Sequence, residues 1–481
     1  MNNKEVTIDN KEIIKVTASG WLGTAMEFMD FQLYSLAAAI VFNEIFFDNE
    51  NSSMALIMAM GTYGAGYCSR LLGAWFFGRL GDKIGRRDVL FFTIGLMGIA
   101  STGIGLLPTY AQVGVWAPIG LVILRIIQGF GAGAEISGAG IMTVEFAKQK
   151  NRGFVGSFVC LGTSTGTLIA NGIWTIILTQ CTHAELMEWG WRVPFYASFV
   201  VMIAAILIRI FIKESPVMAE KKKELAALRE KMAEEAQKSG NNGNQEEINE
   251  KHAIKQASKA NGTTSWKNFI LAGGLRFGQA GNSGLLQTYL AAFLVTYLSV
   301  ARTVPTDANM ISSIISFFTI PLVGWLGDKF GRRTMYLILS GAMAIFAIPM
   351  MMMISTKDTV LITIAMIIGL NVGVQGLFSL ENIMIPELFG SLHRMTFSSL
   401  AKEIAGLFAT GFGPVIAASL VGMATGSWWP LALMMIFFSL CTFISAWVAP
   451  NTNNRNLNDL YNPVVDRHGK KRHFNETNEE S

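Results

Sequence analysis

Charge is scarce in this 481-residue chain: charged residues make up 15% of it and hydrophobic residues 51%, where an average soluble protein is about one-quarter charged. A chain this long and this apolar cannot bury its greasy surface in one soluble core. Its formal net charge of +4 excludes the basic field that nucleic-acid binding requires. Cysteine is also sparse: Cys68, Cys160, Cys181 and Cys441 have no paired spacing, and three sit in apolar runs, which argues against a disulfide framework or a zinc site. Proline is outnumbered by glycine, 12 to 48, a ratio that fits packed membrane helices and not a disordered chain. The chain has no C-x-x-C, H-E-x-x-H, G-x-S-x-G or Walker pattern, so the common enzyme chemistries lack their parts and no cofactor or metal is called for.

What the sequence does have is long apolar runs. A hydrocarbon core of ~30 Å needs ~20 mostly apolar residues per helix. Twelve such runs are predicted, at 16–42, 54–78, 89–107, 115–143, 154–180, 193–212, 268–298, 307–326, 334–354, 359–385, 396–422 and 428–449. No alternating strand pattern appears, and open sheets cannot cross lipid. The polar opening residues lack a signal-peptide pattern. Arg79, Lys83, Arg86, Arg87, Lys148, Lys150, Arg152, Lys329, Arg332, Arg333 and Arg394 fall in loops of one side, and only Arg302 and Lys357 in those of the other. That asymmetry places both termini in the cytoplasm. The expected organisation is a six-helix half over 1–213, a cytoplasmic loop over 214–267, a second six-helix half over 268–450 and a cytoplasmic tail over 451–481. In the loop, Glu214 to Gln237 reads as a helix, followed by a flexible linker; the tail reads as disordered.

The halves repeat. The decapeptide at Gly78–Arg87 returns at Gly324–Arg333, 246 residues on, differing only at its second and seventh positions. Glu145 followed by Arg152 returns as Glu387 followed by Arg394. The chain therefore reads as a duplicated six-helix unit.

The decapeptide resembles the loop signature of the major facilitator superfamily. More narrowly, the chain resembles the metabolite:proton symporter family of shikimate, α-ketoglutarate, citrate and proline/betaine carriers, and within it an uncharacterised enterobacterial branch. The residues that carry this likeness are Glu27, Phe28, Asp30, Phe31 and Tyr34, then Arg70, Arg125, Gln128-Gly129, Gly133 and Glu135, the run Trp189 to Phe195, and Glu214-Ser215-Pro216. Met29, Ala134 and Leu71 depart from the family pattern. The Gly-Pro of drug antiporters is missing from run five, which weakens that reading. The resemblance implies an all-α membrane protein with twelve transmembrane helices in two pseudo-symmetric halves, in the bacterial inner membrane. It implies alternating access and proton-coupled uptake of a small organic acid or zwitterion. A monomeric carrier without a cofactor is expected, its partners being substrate, protons and lipid. An uncoupled facilitator or exchanger, and a sensor on a carrier scaffold, are the alternatives.

Charges inside the membrane are expensive and mark candidate sites. At ~1.5 Å per residue, Asp30 lies ~21 Å from the cytoplasmic side and Arg125 ~15 Å from the other, nearly one level. The pair can couple a proton by releasing the carboxylate's partner, or can be a static bridge. Glu27, one turn earlier, is a second proton site or an orienting partner. Arg70, Arg125 and Arg276 are candidates to meet a substrate anion; the rival use is pairing with Glu27, Glu135 or Glu381. Lys402 and Glu403 point ~100° apart, so one lines the pathway and the other an interface. Gln279, Asn282 and Asn371, with Asn171 and Gln287, are weaker polar candidates. The resemblance implies that Asp82, Arg86, Asp328 and Arg332 pair at the cytoplasmic side with Glu145 and Glu387, near Arg152 and Arg394, as a gate; a purely topological role for these charges is the alternative. Gly129/Gly133 and Gly162/Gly166 are read as smooth faces for helix contact.

Overall fold

A computed structural model describes residues 10–46, 52–223, 226–227, 266–301, 303–453, 455 and 457. Arg302, most of the central loop and the tail beyond 457 lie outside the described residues.

All twelve runs are helical. Span 1 covers Asn10–Ala37 and Ala38–Phe42, span 2 Ser52–Lys83, and span 3 Arg86–Leu106. Span 4 covers Trp116–Ala132 and Glu135–Phe146, span 5 Arg152–Gln180, and span 6 Val193–Ile210. Span 7 runs through Trp266–Ser283, Gly284–Tyr289 and Leu290–Thr296. Span 8 is Thr303–Phe330 and span 9 Arg332–Ser355. Span 10 runs through Thr359–Leu370, Asn371–Gly376 and Leu377–Glu387, span 11 through Arg394–Gly406, Leu407–Gly411 and Gly413–Met423, and span 12 is Trp429–Val448. Among the described residues, nine helices are long and apolar enough to cross a membrane by composition alone. The three that fall short, spans 1, 2 and 7, carry Glu27, Asp30, Arg70 and Arg276.

Spans 1, 7, 10 and 11 each contain a π-helical stretch, at Ala38–Phe42, Gly284–Tyr289, Asn371–Gly376 and Leu407–Gly411. Such widened turns re-aim side chains and concentrate at functional sites. Hydropathy carries no trace of them.

Span 1 lies along span 5, span 2 along span 4 and span 3 along span 6; span 9 packs on span 12, and span 7 on spans 11 and 12. The two halves meet where span 5 lies along span 8 and span 2 along span 11. Glycine makes the close contacts possible. A Cβ at Gly129 or Gly133 would strike the backbone of Gly66 or Arg70, and one at Gly162 or Gly166 the backbone of span 1. The same residue closes both repeat loops: Gly85 at φ 133° and Gly331 at φ 98° adopt a backbone that only glycine takes easily.

Outside, large apolar side chains face away from the bundle. Phe318, Ile345 and Met423 are 77%, 79% and 83% exposed, a surface stable in lipid and not in water. An even number of spans brings both chain ends to one side, here called the terminal face. The expected loop helix is present over 216–223 and 226–227; the rest of it lies outside the described residues. The tail departs from expectation. Its first residues are docked, with Leu457 buried among Val144, Val217 and Ile383.

Candidate functional site

Two buried carboxylates on span 1 face different partners. The Asp30 carboxylate accepts hydrogen bonds from Ser101 Oγ of span 3 (2.6 Å) and Ser198 Oγ of span 6 (2.5 Å). Gln128 Nε2 donates to the same Ser101 Oγ at 2.5 Å, and Arg125 donates to Gln128 Oε1. Asp30 and Arg125 thus belong to one network, as their depths suggested, but they meet through a serine and a glutamine and not face to face. The serines are the reason: they occupy the carboxylate. The Arg125 guanidinium instead lies over Tyr34 (3.9 Å) and Phe31 (4.6 Å).

Glu27, one turn earlier, turns to Arg70 of span 2 at 2.8 Å. Arg70 also grips Glu403 of span 11, through Nε at 2.9 Å and Nη2 at 3.1 Å. Phe31 lies against this guanidinium too, at 5.0 Å. In the second half, Arg276 donates to Gln279 Oε1 (2.6 Å) and Glu381 Oε2 (2.9 Å). Lys402 sits 3.4 Å from Glu381 and donates to Asn382. Lys402 and Glu403 do diverge: the lysine serves its own half, the glutamate the interface. Asn282 and Asn371 donate to Ser439 (3.1 Å) and Ser312 (2.9 Å), which ties helices together inside one half.

Arg209 was not singled out from the sequence. It forks onto Glu135, which also accepts from Thr93 Oγ1 at 2.6 Å. Glu135 is therefore committed to span 6. The available signal was a buried-side arginine near the end of span 6, which reads as an ordinary flanking cation.

At the terminal face each half caps the other. Asp82 accepts the backbone N–H groups of Met395 (3.1 Å) and Thr396 (2.9 Å), the first free amides of span 11. Asp328 does the same for Gly153 (2.7 Å) and Phe154 (2.8 Å) of span 5. Orphan amides and the helix dipole favour a carboxylate there. Glu145 receives Arg394 of the other half at 2.7 Å and Arg86 at 3.5 Å. Glu387 receives Arg332 at 3.4 Å and, more loosely, Arg152 of the other half at 4.0 Å. Ser215 and Thr452 add hydroxyl hydrogen bonds to Glu145 and Glu387. Going inward, Thr163 donates to Gln375 (3.3 Å) and Ser164 meets Ser316. Between described residues, no hydrogen bond or ion pair joins the halves beyond that level. Among the described residues, the polar contacts that join the halves gather toward the terminal face.

The sequence pattern of the family described as "Sugar (and other) transporter" matches residues 22–461, nearly the whole spanning region. The chain belongs to that family of the major facilitator superfamily. It is a membrane transporter and not an enzyme. Its relatives include the transporter-like protein YdfJ of Escherichia coli (strain K12), 49% identical over 91% of this chain and 97% of that protein. The shikimate transporter of the same strain is 29% identical over 92% of this chain and 95% of the relative. Its proline/betaine transporter is 30% identical over 94% and 87%. Among solved structures, the proton:xylose symporter XylE bound to 6-bromo-6-deoxy-D-glucose superposes with a TM-score of 0.74, covering 94% of this chain and 98% of that one at 18% identity. At that identity the likeness establishes the facilitator fold alone.

Within this carrier, a residue of the central loop joins the terminal-face contacts. Lys221 Nζ donates to the carbonyl oxygens of Asp82 (2.6 Å) in one half and of Ser391 and Leu392 (both 3.2 Å) in the other. Burial pushes its ammonium down from 10.5 to about 8. The lysine bridges the two halves from a segment that hydropathy assigns to solvent.

Proposed function

We propose that the carrier couples proton entry to uptake of a small organic acid or zwitterion across a bacterial inner membrane, with the terminal face in the cytoplasm. The observation that carries this reading is the Asp30 network. An ionised Asp30 accepts from two hydroxyls. A protonated carboxyl must itself donate, so at least one hydroxyl has to turn. Ser101 is shared with Gln128, and Gln128 with Arg125. Protonation of Asp30 is thereby transmitted to a guanidinium at the same depth. The names of the relatives, a shikimate and a proline/betaine carrier, support the substrate class, and the excess of basic residues at the terminal face supports the orientation. The translocation path lies between halves of one chain, which supports a monomeric carrier.

The order of steps is protonation from outside, substrate binding between the halves, rocking, and release inside. Uptake into proteoliposomes under an imposed pH gradient, with labelled carboxylates and betaines, tests it. Gradient-driven accumulation is the expected result. Flux that only equilibrates would mean a facilitator, and binding without flux a sensor.

The terminal-face pairs act as the gate. Asp82→Asn weakens the charge-assisted caps on span 11, so turnover is expected to fall about tenfold, the equivalent of ~1.4 kcal/mol. Equilibrium substrate affinity should stay within a factor of about two, because Asp82 lies far from the central charges. Normal turnover in this variant would count against the gate.

Lys221 gives the gate a pH dependence with a defined sign. Its folded pKa is near 8 and its hydrated value is 10.5. Between those values the open, hydrated lysine binds more protons than the closed one, so closure strengthens as pH rises. From pH 7 to pH 9 the closed population should gain about tenfold over the open one. His393, also lowered by burial from 6.5, titrates below this window. Amide exchange at the cytoplasmic ends of spans 2 and 11 reads the effect. Lys221→Met should flatten it; an unchanged slope in that variant would assign the pH dependence to another group.

A further inference from the structure

Arg70 faces two carboxylates at once, and they belong to opposite halves. Glu27 shares its half, at 2.8 Å. Glu403 comes from the other, with both oxygens engaged at 2.9 and 3.1 Å. Glu403 lies nine residues into span 11 from Arg394, hence ~13 Å deeper than the gate. It is the half-buried member of the trio; Glu27 and Arg70 are buried. A guanidinium in this setting needs a counter-charge in every state of the cycle, because an uncompensated buried charge is strongly destabilising.

The halves cannot keep this contact and also part. Span 2 lies along span 11, and Arg70 and Glu403 join the two halves there, so parting the halves at the terminal face would draw Glu403 away from Arg70. Glu27 stays, but its Oε2 has no hydrogen-bond partner among the described residues and the fork loses its paired acceptor. A substrate carboxylate has the geometry to take that place, two oxygens against two N–H groups. The Asp30 carboxylate is not the replacement, since its oxygens are held by Ser101 and Ser198.

We propose that Glu403 is an internal stand-in for the substrate's carboxylate: it occupies the Arg70 fork in the empty carrier, and the substrate anion replaces it there as the cytoplasmic side opens. This deepens the uptake reading above and rests on it. The substrate must then carry a carboxylate or an equally flat anion. The returning empty carrier re-forms the Arg70–Glu403 pair, so that the closed cytoplasmic side marks the empty or outward-loading form.

The test uses the full-length purified carrier in lipid nanodiscs and formate as the probe anion. Amide exchange is followed at the cytoplasmic ends of spans 2 and 11. Glu403→Ala should raise exchange there by about tenfold or more, as loss of a charge-assisted pair implies. In the wild-type carrier formate should raise exchange there as well, by taking the place of Glu403 on Arg70, and chloride at equal ionic strength should not. Wild-type exchange in Glu403→Ala would overturn the proposal. So would exchange in the wild-type carrier that formate leaves unchanged, or that chloride raises equally. Should Glu403→Ala not fold, Glu403→Gln keeps the side-chain shape and must still raise exchange, while Glu403→Asp must return it toward wild type. None of these readings involves transport or a proton gradient. A failure of proton coupling would appear only in the proteoliposome assay and would leave this result standing.

Discussion

Asp30→Asn should abolish gradient-driven accumulation while leaving substrate exchange intact. Each pH unit supplies ~1.4 kcal/mol per proton, so a gradient of about two units can hold an accumulation of up to about 100-fold at one proton per substrate. Asparagine keeps the shape, accepting from one serine through its carbonyl and donating to the other through its amide, but it cannot gain or lose the proton. The ratio should therefore fall to about one. Exchange of labelled for unlabelled substrate needs no change of protonation and should continue. Ser101→Ala gives the companion result. It removes the hydroxyl shared by Asp30 and Gln128, so it should weaken coupling with little loss of exchange. Full accumulation by Asp30→Asn would refute the coupling role and leave Asp30 as a structural bridge between spans 1, 3 and 6.

The other large effect falls at the terminal face. Arg394 is fully buried and bonds Glu145 at 2.7 Å, the Phe389 carbonyl at 3.2 Å and the Leu457 carbonyl at 2.7 Å. Arg394→Ala strands part of a buried carboxylate, a change that destabilises by ~3–5 kcal/mol. A fall in thermal midpoint of roughly ten degrees is expected, with transport near background. Its counterpart in the other half is looser: Arg152 stands 4.0 Å from Glu387 and its side chain is 10% exposed. Arg152→Ala should therefore lower the midpoint by clearly less. Equal losses in a thermal-shift measurement would contradict this ranking of the two pairs.

The two pairs also indicate how far the sequence could be read. The decapeptide repeat identified Asp82 and Asp328 as matched positions, and the Glu145/Arg152 and Glu387/Arg394 recurrences pointed to the same face. What the repeat could not tell is that each aspartate caps a helix of the opposite half. That contact joins Asp82 to Met395 and Thr396, more than 300 residues away. The tail offers a similar case. Residues 451–457 are polar and read as solvated chain, yet Thr452 reaches Glu387 and Leu457 is buried. One leucine in a polar stretch has no periodicity to reveal it.

The central charges divide the same way. Depth along a helix follows from counting residues, and Asp30 and Arg125 are indeed in one network. Rotation about the helix axis does not follow, because a turn of ~100° per residue sends neighbours to different partners. Asp30 thus meets two serines that carry no charge signal, and Arg125 meets Gln128 and two aromatic rings.

By itself the sequence determined the twelve spans, the duplicated half and the family, because hydropathy and a repeated motif are properties of short stretches of chain. Only the tertiary structure decided which buried carboxylate meets which cation. In a low-dielectric interior that choice depends on ångström distances between spans, and spans distant in the chain can lie side by side.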